Sequence, residues 1–239
     1  RAHRILGPHL LVDGDGQLAV GGDFAFGDVD AGDLLSSTWE AFDDNPLGGS
    51  LAFGDRAGGI TPWTYRVPNA QVQHLAAGQT VVERFWLIAV DEQGASDRRM
   101  LEVTVTGSND APLIRADLSQ PTGAVTEDAA VADGLLSTSG HVAFADADLA
   151  DLHTASASAD AANALGGSLS LTVDPDSRSV GWTYAVDNAA VQHLAAGQTA
   201  TERFTLTVDD GHGGTTTQEI TVTVTGSNDA PLIRADLSQ

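Results

Sequence analysis

The side chains in this chain with chemical potential are carboxylates, and they recur at fixed spacings. Asp146-Ala147-Asp148 has Asp151 three residues on, and Asp28-Val29-Asp30 has Asp33 at the same distance. Alternate residues of an extended or turning loop can aim two oxygens at one point, which suits a hard cation, since calcium takes about 6–8 oxygen ligands. Further oxygens come from Glu127-Asp128, from Glu83 and Glu202 beside their expected strands, from Asp209-Asp210, and from the pairs Asn109-Asp110 and Asn228-Asp229. A single acidic loop residue is ordinarily just solvated. The recurrence of the DxD and Asn-Asp elements at matching places is what points to a ligand set. Cysteine is absent and histidine is sparse, so thiolate sites are excluded and zinc or copper fits poorly.

Other chemistry finds little support. There is no GxSxG elbow, no HExxH and no Gly-rich phosphate loop. Paired carboxylates can hydrolyse glycosides, but here they fall in expected loops with no inferable cleft, so an enzyme is not expected. His74 and His193 recur within the identical stretch VQHLAAGQT, and read best as structural residues at a short turn.

The matching places arise from duplication. Gly107 to Gln120 (GSNDAPLIRADLSQ) recurs letter for letter as Gly226 to Gln239, and Val72 to Thr80 recurs as Val191 to Thr199. Trp63 and Tyr65 meet Trp182 and Tyr184 in the same register, while upstream the register shifts by one, placing Asp28 on Asp146. A repeat of this length exceeds a solenoid unit of about 20–50 residues and can own a core. Two domains of one fold are expected, 1–111 and 112–239, the second including the trailing linker 226–239. Because the chain ends on the segment that joins its halves, a further domain is expected to follow in the parent.

The formal charge is −22, from 11 basic and 33 acidic residues, and every basic residue is arginine. Such a surface repels phosphate backbones and anionic lipid, which argues against nucleic-acid binding and membrane-surface binding. The same repulsion opposes compaction, and divalent cations or high salt would relieve it. No apolar run approaches the roughly 18 residues of a membrane span. Asp13-Gly14-Asp15 resembles the start of an EF-hand loop, but the twelfth position falls on Phe24 rather than glutamate.

Positioning of the carboxylates falls to β-structure. Phe204, Leu206 and Val208 alternate with polar residues, as do Ile220, Val222 and Val224 and the set Val180, Trp182 and Tyr184. Period 2 with β-branched residues predicts half-buried strands. Strands around Val125, Val142, His153 to Ala157, Leu169 to Val173, Val180 to Tyr184, Phe204 to Val208 and Ile220 to Val224 make about seven, and only Asn188 to Ala196 looks briefly helical. The expected fold class is all-β: two tandem seven-stranded antiparallel β-sandwiches. Trp63 and Trp182 fall on predicted core faces. An exposed Trp39 or Trp86, without a tryptophan counterpart in the second half, would favour sugar binding.

The stretches TEDAAVADGLLSTSGHVAFADADLAD, GWTYAVDNAAVQHLAAGQTATERFTLTVDDG and ITVTVTGSNDAP together resemble the VCBS repeat of large bacterial RTX-type surface adhesins, a cadherin-like member of the immunoglobulin-like sandwiches. The resemblance implies a protein secreted by a type I route to the cell surface or medium, acting in cell adhesion or biofilm as a calcium-stiffened extender. It also implies a ligand set: Glu83, Asn109 and Asp110 from the first domain with Asp146 and Asp148 from the second, and Glu127, Glu202, Asn228 and Asp229 for a following junction. Asp28 and Asp30 are the first domain's DxD. Implied partners are neighbouring repeats of the same chain and bacterial or host surface polysaccharide, with no nucleic acid and no direct membrane insertion, the chain being monomeric. The first half departs from the pattern where Pro8 to Asp13 stands in place of Thr126 to Val131, and where Asp91-Glu92-Gln93 replaces the Gly-rich turn after Asp210. A calcium-dependent lectin for acidic exopolysaccharide and a calcium-independent spacer remain the alternatives.

Overall fold

The structure is a computed structural model describing residues 16–30 and 34–231, together with the backbone of 3–4 and 11–12. It divides into two compact units, residues 1–110 with 148–150 and residues 111–147 with 151–239. Both are almost wholly β-structure. Asp13, Asp15 and Asp33 of the sequence reading lie outside the described residues.

The second unit shows how the pattern becomes a fold. Its strands are β9 (Leu113–Ile114), β10 (Thr122–Thr126), β11 (Leu135–Ala145), β12 (Thr154–Ala159), β13 (Ser168–Asp174), β14 (Ser179–Asp187), β15 (Thr199–Asp209) and β16 (Thr215–Thr225). One sheet runs β10-β16-β15-β12 and the other β13-β14-β11-β9. β10 lies parallel to β16, whereas β9 pairs antiparallel with β11. The opening strand is thus split between the two sheets, and counting β9 and β10 once recovers seven strands. Where a helix was expected there is one turn, α1 (Asn188–Val191), whose first amides are capped by the Asp187 side chain accepting from Ala189 N.

The first unit repeats the plan, with β1 (His3–Arg4), β2 (Leu11–Val12), β3 (Gln17–Ala25), β4 (Ser36–Ala41), β5 (Ser50–Phe53), β6 (Ile60–Pro68), β7 (Thr80–Val90) and β8 (Ser96–Thr106). Its sheets run β1-β8-β7-β4 and β2-β3-β6-β5. Sheets of this connectivity form an immunoglobulin-like sandwich.

Each core is the sum of the inward positions. In β15 the buried residues are Glu202, Phe204, Leu206 and Val208, facing Ile220, Val222 and Val224 of the adjoining β16. Trp63 and Trp182 are buried, as expected, and the Trp182 indole N–H donates to the Gln120 carbonyl at 3.0 Å. Trp39 packs against the first core, its ring edge-on to Phe85.

Glutamate at an inward strand position needs an explanation, and both units give the same one. Glu202 Oε2 accepts from the Tyr184 hydroxyl at 2.7 Å and from Gly167 N at 3.0 Å, while Oε1 accepts from Leu165 N at 2.9 Å. Glu83 accepts from the Tyr65 hydroxyl and from Leu47 N, both at 2.7 Å. Burying a carboxylate is costly unless strong donors replace its water, and here a phenol and main-chain amides do so. The loop approaches so closely that a Cβ at Gly167 or Gly49 would collide with the carboxylate and with the tyrosine ring. The repeated Leu-Gly-Gly-Ser-Leu at 47–51 and 165–169 encodes this pin.

Two expectations follow. Removing one charge-assisted bond by Tyr184→Phe should cost about 1.5–3 kcal/mol, read as a lowered denaturation midpoint. Burial first, then the hydrogen bond to glutamate and its charge, hold both phenols well above their ordinary value of 10.0. A raised folded value means that the folded state keeps its proton while the unfolded chain loses it, so stability is full below pH 10 and falls as pH rises beyond it. These are the only two tyrosines, and in the double Tyr65→Phe, Tyr184→Phe variant that alkaline loss should shrink.

Candidate metal centre

Strand register builds the acidic site of the second unit. β12 pairs with β15 so that Thr154 faces Asp209, which places the loop between β11 and β12 beside the turn between β15 and β16. The first strand of that pair of loops ends at Ala145, immediately before Asp146, and the second ends at Asp209, immediately before Asp210. The turn is closed by its own acid: Asp210 Oδ1 accepts from His212 N at 2.7 Å and from Gly214 N at 2.9 Å, and Asp210 N donates to the Gly214 carbonyl at 3.1 Å. A Cβ at Gly214 would collide with Asp210 Oδ2 and with Ala111.

Asp146, Asp151 and Asp210 each bring a carboxylate oxygen to one place, all three within 4.8 Å of one another. Asp146 is 8% and Asp210 1% exposed, and the Asp151 side chain is 1% exposed. Two histidines are the nearby partners: His153 Nε2 lies 2.8 Å from Asp146 Oδ2, and His212 Nδ1 lies 3.2 Å from Asp151 Oδ2. Asp151 Oδ2 is nonetheless buried without a well-formed hydrogen bond among the described residues. At an effective dielectric of about 20, each ionised pair at this separation repels by roughly 3–4 kcal/mol. The Arg178 guanidinium donates to the Asp146 main-chain carbonyl at 2.7 Å. A buried, crowded all-oxygen donor set fits a hard divalent cation, with carbonyls and water completing the shell.

The ligand set implied by the resemblance is distributed differently. Asp146 is in the triad. Asp148 is fully buried, and its Oδ2 accepts from Asp110 N at 2.8 Å; Asn109 and Asp110 are half-buried. Glu127 is 1% exposed, with Oε2 accepting from Ser227 N at 2.7 Å and Oε1 without a hydrogen-bond partner among the described residues. Asn228 and Asp229, just beyond, are exposed. Asp28 and Asp30 are exposed, Asp28 Oδ1 accepting from Asp30 N at 3.0 Å.

Glu83 and Glu202 stand apart from this group. They lie within β7 and β15 rather than before them, and their oxygens are engaged by tyrosine and main-chain donors inside each sandwich. Neither joins the acidic group. Conversely, Asp151 and Asp210, offered by the sequence as further oxygen donors but absent from the ligand set the resemblance implies, complete the triad. The signal for Asp210 was its Gly-rich turn, and for Asp151 its fixed spacing from the DxD. His153 and His212 carried no sequence signal. In the first unit the turn after Asp91 keeps its form with a single glycine, Gly94 at φ 88°, Ala95 N donating to Asp91 Oδ1 at 2.8 Å. His193, read as a structural residue, is exposed, with Nδ1 3.0 Å from the Ala190 carbonyl. Among the described residues no helix is long and apolar enough to cross a membrane.

Comparison with known proteins agrees with the sandwich. Residues 109–223 match the model of a family described as Bacterial Ig domain. No curated protein matches the sequence. Among solved structures, mouse clustered PcdhgC3 (EC1-3) is similar at 15% identity with a TM-score of 0.37, over 80% of this chain and 56% of that one. Human CDH23 (EC21-23) is similar at 17% identity with a TM-score of 0.41, over 80% of this chain and 58% of that one. The sialic acid binding region of a Streptococcus sanguinis adhesin is similar at 9% identity with a TM-score of 0.32, over 89% of this chain and 74% of that one. The chain thus spans little more than half the length of the mouse and human chains, and its second half is similar to a bacterial immunoglobulin-like family.

Proposed function

We propose that this chain is a calcium-binding tandem repeat of a bacterial cell-surface or secreted adhesin, acting in adhesion or biofilm as a calcium-stiffened extender. The observation that carries the reading is the buried triad of Asp146, Asp151 and Asp210. Three carboxylates out of water need positive charge, and this chain holds 11 arginines against 33 acids and no lysine. The match of 109–223 to a bacterial Ig family supports a surface role, and the VCBS resemblance supports type I secretion.

Calcium would be held by the three aspartates in the second unit. Glu127, with its orphaned Oε1, and the neighbouring Asn228 and Asp229 would hold a second ion. The bound ion supplies charge neutralisation and a fixed centre for oxygen ligands. The chain supplies the rest: Asp210 orders its own turn through His212 N and Gly214 N, and the register of β12 on β15 holds the two loops side by side.

Extracellular modules bind calcium at about 10⁻⁴ to 10⁻³ M, so about 1 mM calcium should stabilise the second unit by roughly 0.4–1.4 kcal/mol per site, a rise in Tm of about 2–6 °C. Magnesium, which demands a smaller and stricter octahedron, should do less. Asp210→Asn should remove most of the rise, and Gly214→Ala should lower the calcium-free Tm as well, by about 1–3 kcal/mol of overpacking. A Tm unmoved by millimolar calcium, or moved equally in Asp210→Asn, contradicts the proposal.

A further inference from the structure

The outer face of the sheet β1-β8-β7-β4 in the first unit carries side chains that the fold does not require. Phe85 and Leu87 of β7 point into the core, so Trp86 and Ile88 point out, with Arg98 and Met100 beside them on β8. Phe42 follows β4, its N–H donating to the Arg84 carbonyl at 2.9 Å. The same sheet positions in the second unit hold Thr205, Thr207, Thr217 and Glu219, and Asp160 takes the place of Phe42, donating to the Arg203 carbonyl at 2.9 Å. A plain Thr-rich face therefore suffices for the sandwich. The first unit has instead assembled two aromatic rings, two apolar side chains and a cation.

These groups are organised. The Phe42 ring meets Trp86 edge-on at 5.5 Å and is itself 47% exposed. The Arg98 guanidinium lies over the indole, 4.5 Å from its centroid. The contact anchors the guanidinium on the ring, Arg98 is exposed with its N–H donors available to a ligand, and it makes no ion pair among the described residues. Arg84 is held between Glu102 at 2.9 Å and Asp43 at 3.4 Å, and Glu40 is exposed on the strand opposite Trp86.

We propose that this face binds a neutral saccharide. The exposed Phe42 ring offers a stacking surface for the C–H face of a sugar. Arg98 offers donors, and Glu40, Asp43 and Glu102 offer acceptors, for hydroxyls that need both. Size and charge choose this occupant over others. With strands about 4.8 Å apart and about 3.4 Å per residue, the patch measures roughly 10 by 14 Å, enough for one to three sugar rings. It falls far below the about 800 Å² per partner of a stable protein interface. Two guanidinium groups stand among three carboxylates on a chain of net charge −22, which disfavours a polyanion. The site needs no cation, so it stands apart from the calcium reading.

The test is calorimetric titration of the whole chain in EDTA with neutral gluco-, manno- and galacto-hexasaccharides, and with trigalacturonate as the anionic probe. At least one neutral hexasaccharide should bind at millimolar affinity or better, and more tightly than trigalacturonate. Phe42→Asp and Arg98→Thr, which install the second unit's residues, should each weaken binding at least tenfold while keeping the parent's calcium-induced shift in Tm, or its lack of one. Arg98→Gln, the milder change, serves if either variant unfolds. No binding of any neutral probe, binding unaffected by these variants, tighter binding of trigalacturonate, or self-association lost in the same variants would overturn the proposal.

Discussion

Negative charge held out of water is the constraint around which this molecule is arranged. Glu83, Glu127, Asp146, Asp148, Glu202 and Asp210 are all buried, and no arginine is buried among the described residues. A buried carboxylate is tolerated only when donors or cations replace its hydration. Two solutions operate. Glu83 and Glu202 are met by a tyrosine hydroxyl and main-chain amides, which fasten a glycine-rich loop to the core. Asp146, Asp151 and Asp210 are instead crowded onto one another, with imidazoles beside Asp146 and Asp151 and turn amides on Asp210, and that crowding suits a cation.

The difference between the two solutions explains how much was legible in the sequence. Strands were readable because alternation survives translation into burial: Phe204, Leu206 and Val208 point inward as their spacing requires. Glu202 stands in phase with them, so the same alternation marked it as a core residue. Its acidic character, together with the family resemblance, drew it into the ligand set, whereas its oxygens accept from Tyr184 and main-chain amides. The glycines of 47–51 and 165–169 were the missing clue, since a loop that cannot carry a Cβ is a loop pressed against something.

The acidic triad was only partly legible for a different reason. Its members come from two loops separated by several strands, and only the pairing of β12 with β15 makes them neighbours. Local spacing named Asp146 and the Asp209-Asp210 pair each as oxygen donors, whereas only the sheet register shows that Asp146 and Asp210 meet. His153 and His212 are contacts of tertiary structure and left no pattern to read.

Duplication sharpens both conclusions by supplying an internal comparison. The Glu–Tyr pin is kept in both units, which marks it as part of the scaffold. The outer face of β7 and β8 has diverged from that of β15 and β16, which marks it as something added to the scaffold. The acidic turns differ as well, Asp210 being followed by Gly211, Gly213 and Gly214 where Asp91 is followed by Gly94 alone.

The most direct measurement is an anomalous difference map from crystals of the whole chain grown with calcium and exchanged for terbium, a calcium mimic with a strong anomalous signal. The account predicts a peak among Asp146, Asp151 and Asp210, about 2.3–2.6 Å from their carboxylate oxygens, absent in the Asp210→Asn chain. An empty triad in the presence of terbium would contradict it.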